Sequence, residues 1–190
     1  MEEKQTKVTL KVAEAGPLGL LGFGMTTVLL NLHNAGIVEM SVMILAMGIF
    51  MGGLAQVIAG IMEFRAGNTF GATAFTSYGL FWWSLVVILT NPEWLGGEGA
   101  SASALGFYFI LWCIYTAFMF IGTLKANHAT QLVFGTLALL FLLLAITHWT
   151  GSEVLEVITG IEGIICGLIA MYTAVAGIVD GEFNKPIMPV

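Results

Sequence analysis

Charged residues divide this chain into apolar stretches of similar length. None stands between Glu14 and Glu39, Glu39 and Glu63, Arg65 and Glu93, Glu98 and Lys125, or Lys125 and Glu153. A sixth stretch, Val157 to Val179, is interrupted only by Glu162. Each exceeds the roughly 20 residues that a helix needs to cross about 30 Å of hydrocarbon. Transmembrane β-strands would be about half as long and would alternate apolar with polar positions, which these stretches do not. The pattern predicts six transmembrane helices, at 17–33, 39–63, 69–90, 104–124, 129–148 and 156–179. Short connections join them into one domain. The expected fold is an all-α integral membrane protein, with a cytoplasmic segment 1–14, a helical domain 15–180 and a cytoplasmic tail 181–190. The first stretch is too long for a cleavable signal peptide, and no A-x-A site precedes a soluble chain.

Composition agrees. Of 190 residues, 58% are hydrophobic and 9% charged, and the mean hydropathy is +0.94. Soluble domains carry about 25% charged residues, and disordered chains more, so both classes are excluded. Six Lys and Arg with a net charge of −6 leave no basic patch for nucleic acid. Those six also orient the chain. Lys4, Lys7 and Lys11 precede helix 1, Arg65 follows helix 2, Lys125 follows helix 4 and Lys185 follows helix 6. The opposite links hold Glu39, Glu93, Glu98, Glu153 and Glu156. The positive-inside rule puts both termini in the cytoplasm, with Trp94 and Trp149 near the outer interface.

Most of the 24 glycines lie inside the apolar stretches. Gly48 and Gly52 form G-x-x-x-G, and Gly60, Gly163 and Gly167, continued by Ala170 and Ala174, extend small-residue stripes. Such stripes let membrane helices approach closely. Polar groups inside spans avoid lipid, so they point to packing or to a conduit. Phe23, Thr27 and Asn31 share a face of helix 1, and Gly48, Gly52, Gln56 and Gly60 share one of helix 2, leading to Glu63. Helix 3 carries Thr69, Thr73, Thr76, Ser77 and Tyr78, and helix 5 opens with His128, Thr130 and Gln131. A Thr or Ser can instead bond its own helix. A mostly neutral polar lining suits a small polar or monoanionic solute, not a metal ion.

No nucleophile elbow, zinc-protease, Walker or dinucleotide fingerprint stands in a suitable context, so an enzyme is not expected, nor a metal or cofactor. Cys113 and Cys166 sit in apolar stretches and suit neither a disulfide framework nor a thiolate metal site. His33 and His148 lie near the outer helix ends, the pairing a haem would need, and read as interfacial histidines. Glu63 beside Arg65 reads as part of a polar network ordering the 2–3 link, or as a protonatable element of a path. Glu162, about two turns into helix 6, either has a transport role or faces a watery vestibule.

Pro17-Leu18-Gly19-Leu20 followed by Gly22-Phe23-Gly24-Met25-Thr26-Thr27 resembles the signature of the acetate uptake transporter family, the YaaH or succinate–acetate permeases. Similar segments continue at Asn31-Leu32-His33-Asn34, Ala46-Met47-Gly48-Ile49-Phe50 and Gly52-Gly53-Leu54-Ala55-Gln56. Others are Gly67-Asn68-Thr69-Phe70-Gly71, Thr76-Ser77-Tyr78-Gly79, Phe81-Trp82, Gly122-Thr123-Leu124-Lys125 and Ile165-Cys166-Gly167. The likeness covers nearly the whole chain. It implies six helices per protomer, a hexamer, and one conduit in each protomer for acetate and, in some members, succinate.

The resemblance also implies a hydrophobic constriction of a Phe, a Tyr and a Leu, here Phe23, Tyr78 and Leu137. The substrate path is then expected along Thr26, Thr27, Asn31, Gln56, Asn68, Thr69, Thr73 and Gln131, with Glu63 and Glu162 as protonatable or network groups. One departure is Glu14-Ala15-Gly16-Pro17 where the family commonly has Asn-Pro-Ala-Pro. Helices 1, 3 and 5 run the same way, so their residues can meet at one depth. A carboxylate stripped of water there costs several kcal/mol, and its protonated form much less. The expected activity is proton-coupled acetate transport in the plasma membrane. The alternatives are a passive anion channel and, from another class, a sensor or haem-binding subunit.

Overall fold

A computed structural model describes residues 13–91 and 93–190. Lys4, Lys7, Lys11 and most of the 1–14 segment lie outside the described residues, as does the side chain of Trp94. Among the described residues the long elements are six helices: α1 Gly16–Asn34, α2 Val42–Ala66, α3 Thr69–Thr90, α4 Ala102–Thr123, α5 His128–Thr150 and α6 Glu153–Phe183. Five of them, α2 to α6, are long and apolar enough to cross a membrane by length and composition. The exception, α1, is rich in Gly, Thr and Asn, and Leu18 is its one exposed residue. Its neighbours cover it, so it needs few lipid-facing side chains.

The boundaries follow local chemistry. Helix α2 starts later than expected because Ser41 is extended, and it ends where Gly67 takes a φ of +78°, a conformation that costs glycine little. Asn68, Ser101, Asn127 and Ser152 each cap the next helix by accepting a backbone N–H. Helix α6 runs to Phe183, past the expected end at 179.

Helix α1 packs along α6 and α2, α3 along α2, and α5 between α6 and α4. The ring closes between α3 and α4 through aromatic side chains: Phe81 stacks on Tyr108 at 5.8 Å, and Tyr78 reaches Tyr115 at 5.6 Å. The small-residue stripe of α6 serves the α1 contact. A Cβ on Gly167 would stand 2.8 Å from the Gly24 carbonyl oxygen, and one on Gly24 2.7 Å from that of Gly167. Backbone thus meets backbone, as small residues permit in lipid.

The G-x-x-x-G of α2 does something else. Gly52 makes room for the Trp82 indole of α3 and Gly48 for the Val86 side chain, rather than for a backbone contact. That stretch, Gly48–Ala55, is a π-helix, whose wider turns mark many functional sites. Its surroundings satisfy the loosened backbone: Trp83 Nε1 donates to the Ile49 carbonyl at 2.9 Å, and the Thr26 hydroxyl lies 3.3 Å from that of Met47.

Candidate functional site: two cavities that share a neck

Two cavities lie inside the ring, one toward each end. The first, about 170 Å³, lies at the end where α1 begins and is lined by Gly16, Gln56, Glu63, Asn68 and Thr130 among others. The second, about 210 Å³, lies at the end where α1 finishes and is lined by Thr27, Asn31, Trp82, His33, His148 and Glu156 among others. Phe23 and Leu137 stand in the walls of both, and Tyr78 in the wall of the first. These three side chains are buried, at 5%, 3% and 3% exposure, within one aromatic core. Phe23 and Tyr78 are tilted against each other with ring centroids 6.3 Å apart. The three residues therefore stand together where the cavities adjoin.

The neck is held by its surroundings. The Thr116 hydroxyl donates to the Trp112 carbonyl at 2.7 Å, so the Tyr78 phenol, 2.9 Å from Thr116 Oγ1, must be the donor of that second bond. Tyr78 is thus tied to α4 by its hydroxyl while its ring faces Phe23. Phe81, one turn further along α3, packs edge-on against Phe141 and Trp112 with centroids 5.1 and 5.0 Å away. Aromatic packing of this kind fixes ring orientation.

The polar residues divide by facing. In the second cavity wall, Asn31 donates from Nδ2 to the Thr27 carbonyl at 2.9 Å and accepts from Asn34 at 3.0 Å. Its polar groups are partnered, whereas the Thr27 hydroxyl, in a residue 2% exposed, has no partner, nor has Trp82 Nε1. Gln56 Oε1 in the first cavity wall, in a residue 1% exposed, is also unpartnered. Asn68 lines that cavity too, donating to Glu63 Oε2 at 2.8 Å while its own oxygen accepts from Gly71 N at 3.1 Å. Glu63 is thus partnered by Asn68, and Arg65 is exposed.

Other expected path residues stand elsewhere. Thr26 is fully buried and bonds the Gly22 carbonyl at 2.8 Å, in the packing of α1 on α2. Thr69 and Thr73 are exposed on the outside of α3. Gln131 lines an outer groove and donates to the Ala126 carbonyl at 2.9 Å, while its neighbour Thr130 lines the first cavity. Glu162 lines neither cavity, and both its carboxylate oxygens are buried without a partner. Cys113 and Cys166 are free thiols.

Sequence reasoning assigned no path role to Trp82, Phe81 or Phe134, all on cavity walls. It placed His33 and His148 near the outer helix ends, and there, in the last turns of α1 and α5, both line the second cavity. Their helical spacing held no signal for this, because only the ring order joins α1 to α5.

A bundle of apolar helices enclosing two cavities that adjoin at a neck defines a multi-pass membrane protein with a conduit. Comparison with known proteins narrows the class. The model of the GPR1/FUN34/yaaH family matches residues 2–189, and the chain belongs to that family. It is 48% identical over 180 residues to the succinate-acetate/proton symporter SatP of Escherichia coli, covering 95% of this chain and 96% of that one. An uncharacterized protein of Methanothermobacter thermautotrophicus is 47% identical over 196 residues, covering 100% of this chain and 96% of the other. A solved structure described as the bacterial acetate channel SatP superposes with a TM-score of 0.92 at 48% identity, covering 95% of this chain and 99% of that one.

Proposed function

We propose that this chain carries acetate, and with it other short carboxylates such as succinate, through one conduit in each protomer. The observation that carries the reading is the pair of cavities sharing Phe23 and Leu137 in their walls. Thr27 and Gln56 offer unpartnered polar atoms on either side, which suits a solute that moves from one polar wall to another past an apolar neck. The neck of Phe23, Tyr78 and Leu137 selects for small size and for the neutral acid, because a bare carboxylate there costs several kcal/mol. Transport is proton-linked and the role is not catalytic.

The basic links support cytoplasmic termini, with the first cavity facing inward and the second outward. The protein sits in the plasma membrane as a homo-oligomer, a hexamer by its family resemblance. A passive channel is the second reading, favoured by the description of the solved relative as an acetate channel. Labelled acetate flux into proteoliposomes separates the two, with voltage clamped at zero and an inward proton gradient. Proton coupling accumulates acetate above equilibrium, and a protonophore abolishes this after subtraction of the protein-free leak. Flux driven by voltage and indifferent to the proton gradient establishes the channel.

A further inference from the structure

Helices α3 and α4 meet through side chains, and two hydroxyl pairs cross the seam. At one, Ser84 donates to the Phe81 carbonyl at 2.8 Å, which leaves Tyr108 to donate to Ser84 at 2.7 Å. At the other, Tyr78 donates to Thr116 Oγ1. The pairs share one logic, but only the second holds a residue of the neck. Thr116 itself lines neither cavity and is fully buried. Among the described residues it is the only hydrogen-bond partner of the Tyr78 hydroxyl.

The Tyr78 phenol has somewhere else to go. Gly71 and Ala74, two turns and one turn earlier on α3, share the wall of the first cavity with it. A long side chain on a helix leans back over the preceding turn, and here both residues are small. Phe23, Tyr115, Trp112 and Phe134 hold the Tyr78 ring by tilted contacts, and none of them accepts from its hydroxyl. A buried hydroxyl without a partner is costly. The bond to Thr116 therefore decides whether the phenol stays against α4 or turns into the cavity.

We propose that Thr116 is a positioning residue for size selection. By accepting from Tyr78 it keeps the phenol on α4 and the ring beside Phe23, and so keeps the neck narrow enough to favour acetate over longer carboxylates. This proposal rests on the acetate-transport reading. In Thr116→Val the volume stays and the acceptor goes. The Trp112 carbonyl keeps its helical N–H partner, so nothing on α4 is orphaned. The Tyr78 hydroxyl is left unpartnered, which favours a rotamer reaching cavity water by about tenfold or more. The ring then leaves Phe23, and the neck widens on its α3 side.

The test is competition of unlabelled succinate and lactate against labelled acetate in proteoliposomes. In Thr116→Val the longer acids gain about tenfold relative to acetate. Thr116→Ser keeps an acceptor and the wild-type ranking. In the double variant Thr116→Val/Tyr78→Phe no hydroxyl is left to satisfy, so the ring stays and the wild-type ranking returns. Ser84→Ala, at the other pair, lowers the melting temperature in detergent and leaves the ranking unchanged. A folded Thr116→Val protein that ranks the acids as the wild type does overturns the proposal. So does a relaxed ranking that the added Tyr78→Phe change fails to restore, or an equal relaxation in Thr116→Ser or Ser84→Ala. A wild type that takes up no acetate overturns the transport reading instead.

Where Thr116→Val does not fold, the wild type decides. With isotope-labelled tyrosine, the infrared difference between wild type and Tyr78→Phe isolates the Tyr78 C–O stretch. Its frequency separates a phenol that only donates from one bonded to water. The expected band is that of a donor-only phenol, unchanged by acetate. A water-bonded band overturns the proposal.

Discussion

Leu137→Ala probes the neck directly. The Leu137 side chain is 3% exposed and stands in the walls of both cavities, of about 210 and 170 Å³. Truncation to Ala widens the passage between them on the α5 side and leaves Phe23 and Tyr78 in place. Leu→Ala at a packed site costs about 2–5 kcal/mol, and the low end applies here because the side chain already borders open space. The selectivity effect is larger in proportion. One methylene against an apolar wall is worth about 1–3 kcal/mol, a factor of about 10–200. Lactate, one heavy group larger than acetate, therefore gains at least about tenfold relative to acetate, and succinate gains as well. The assay is competition of unlabelled lactate and succinate against labelled acetate in proteoliposomes. Leu139→Ala, on the same helix but 45% exposed on its outer face, is the control and leaves the ranking unchanged. A folded Leu137→Ala protein with an unchanged preference among acetate, lactate and succinate would remove Leu137 from the neck.

Thr27→Val and Thr26→Val separate cavity from packing. The first deletes an unpartnered hydroxyl from the second cavity and raises the KM for acetate about fivefold, the worth of one hydrogen bond near 1 kcal/mol. The second leaves KM alone and lowers the melting temperature in detergent, because Thr26 bonds backbone carbonyls of α1 and α2. Equal effects of the two on KM would contradict the assignment. Tyr78→Phe keeps the ring in the neck but loses the bond to Thr116. Stability falls by about 1 kcal/mol in denaturation while the preference for acetate over succinate persists. Glu162→Leu removes a buried carboxylate with no partner and raises the melting temperature. Acetate uptake by that variant stays at the wild-type level, and a loss of uptake would return Glu162 to the transport path.

The number of spans and most of their limits were legible in the chain itself. Bilayer thickness sets how long a charge-free helix must be, so counting between charged residues finds each span. The stripe from Gly163 to Ala174 was legible for a similar reason, since close approach in lipid requires small residues. Phe23, Tyr78 and Leu137 were reached through family resemblance, and the structure brings them to one place. Which polar residues line the two cavities was decided by the tertiary structure alone. Thr26 and Thr27 are neighbours, yet one packs on α2 and the other lines a cavity. Thr130 and Gln131 divide the same way, and Thr69 and Thr73 turn outward. In a soluble helix the apolar stripe reports the buried face. In a membrane the lipid side and the core side are both apolar, so periodicity does not tell them apart. The π-helical stretch at Gly48–Ala55 and the place of His33 and His148 on one cavity wall were likewise hidden. Both depend on how the ring of helices closes, with Trp82 seated on α2 and α6 joining α1 to α5, and no single helix carries that information.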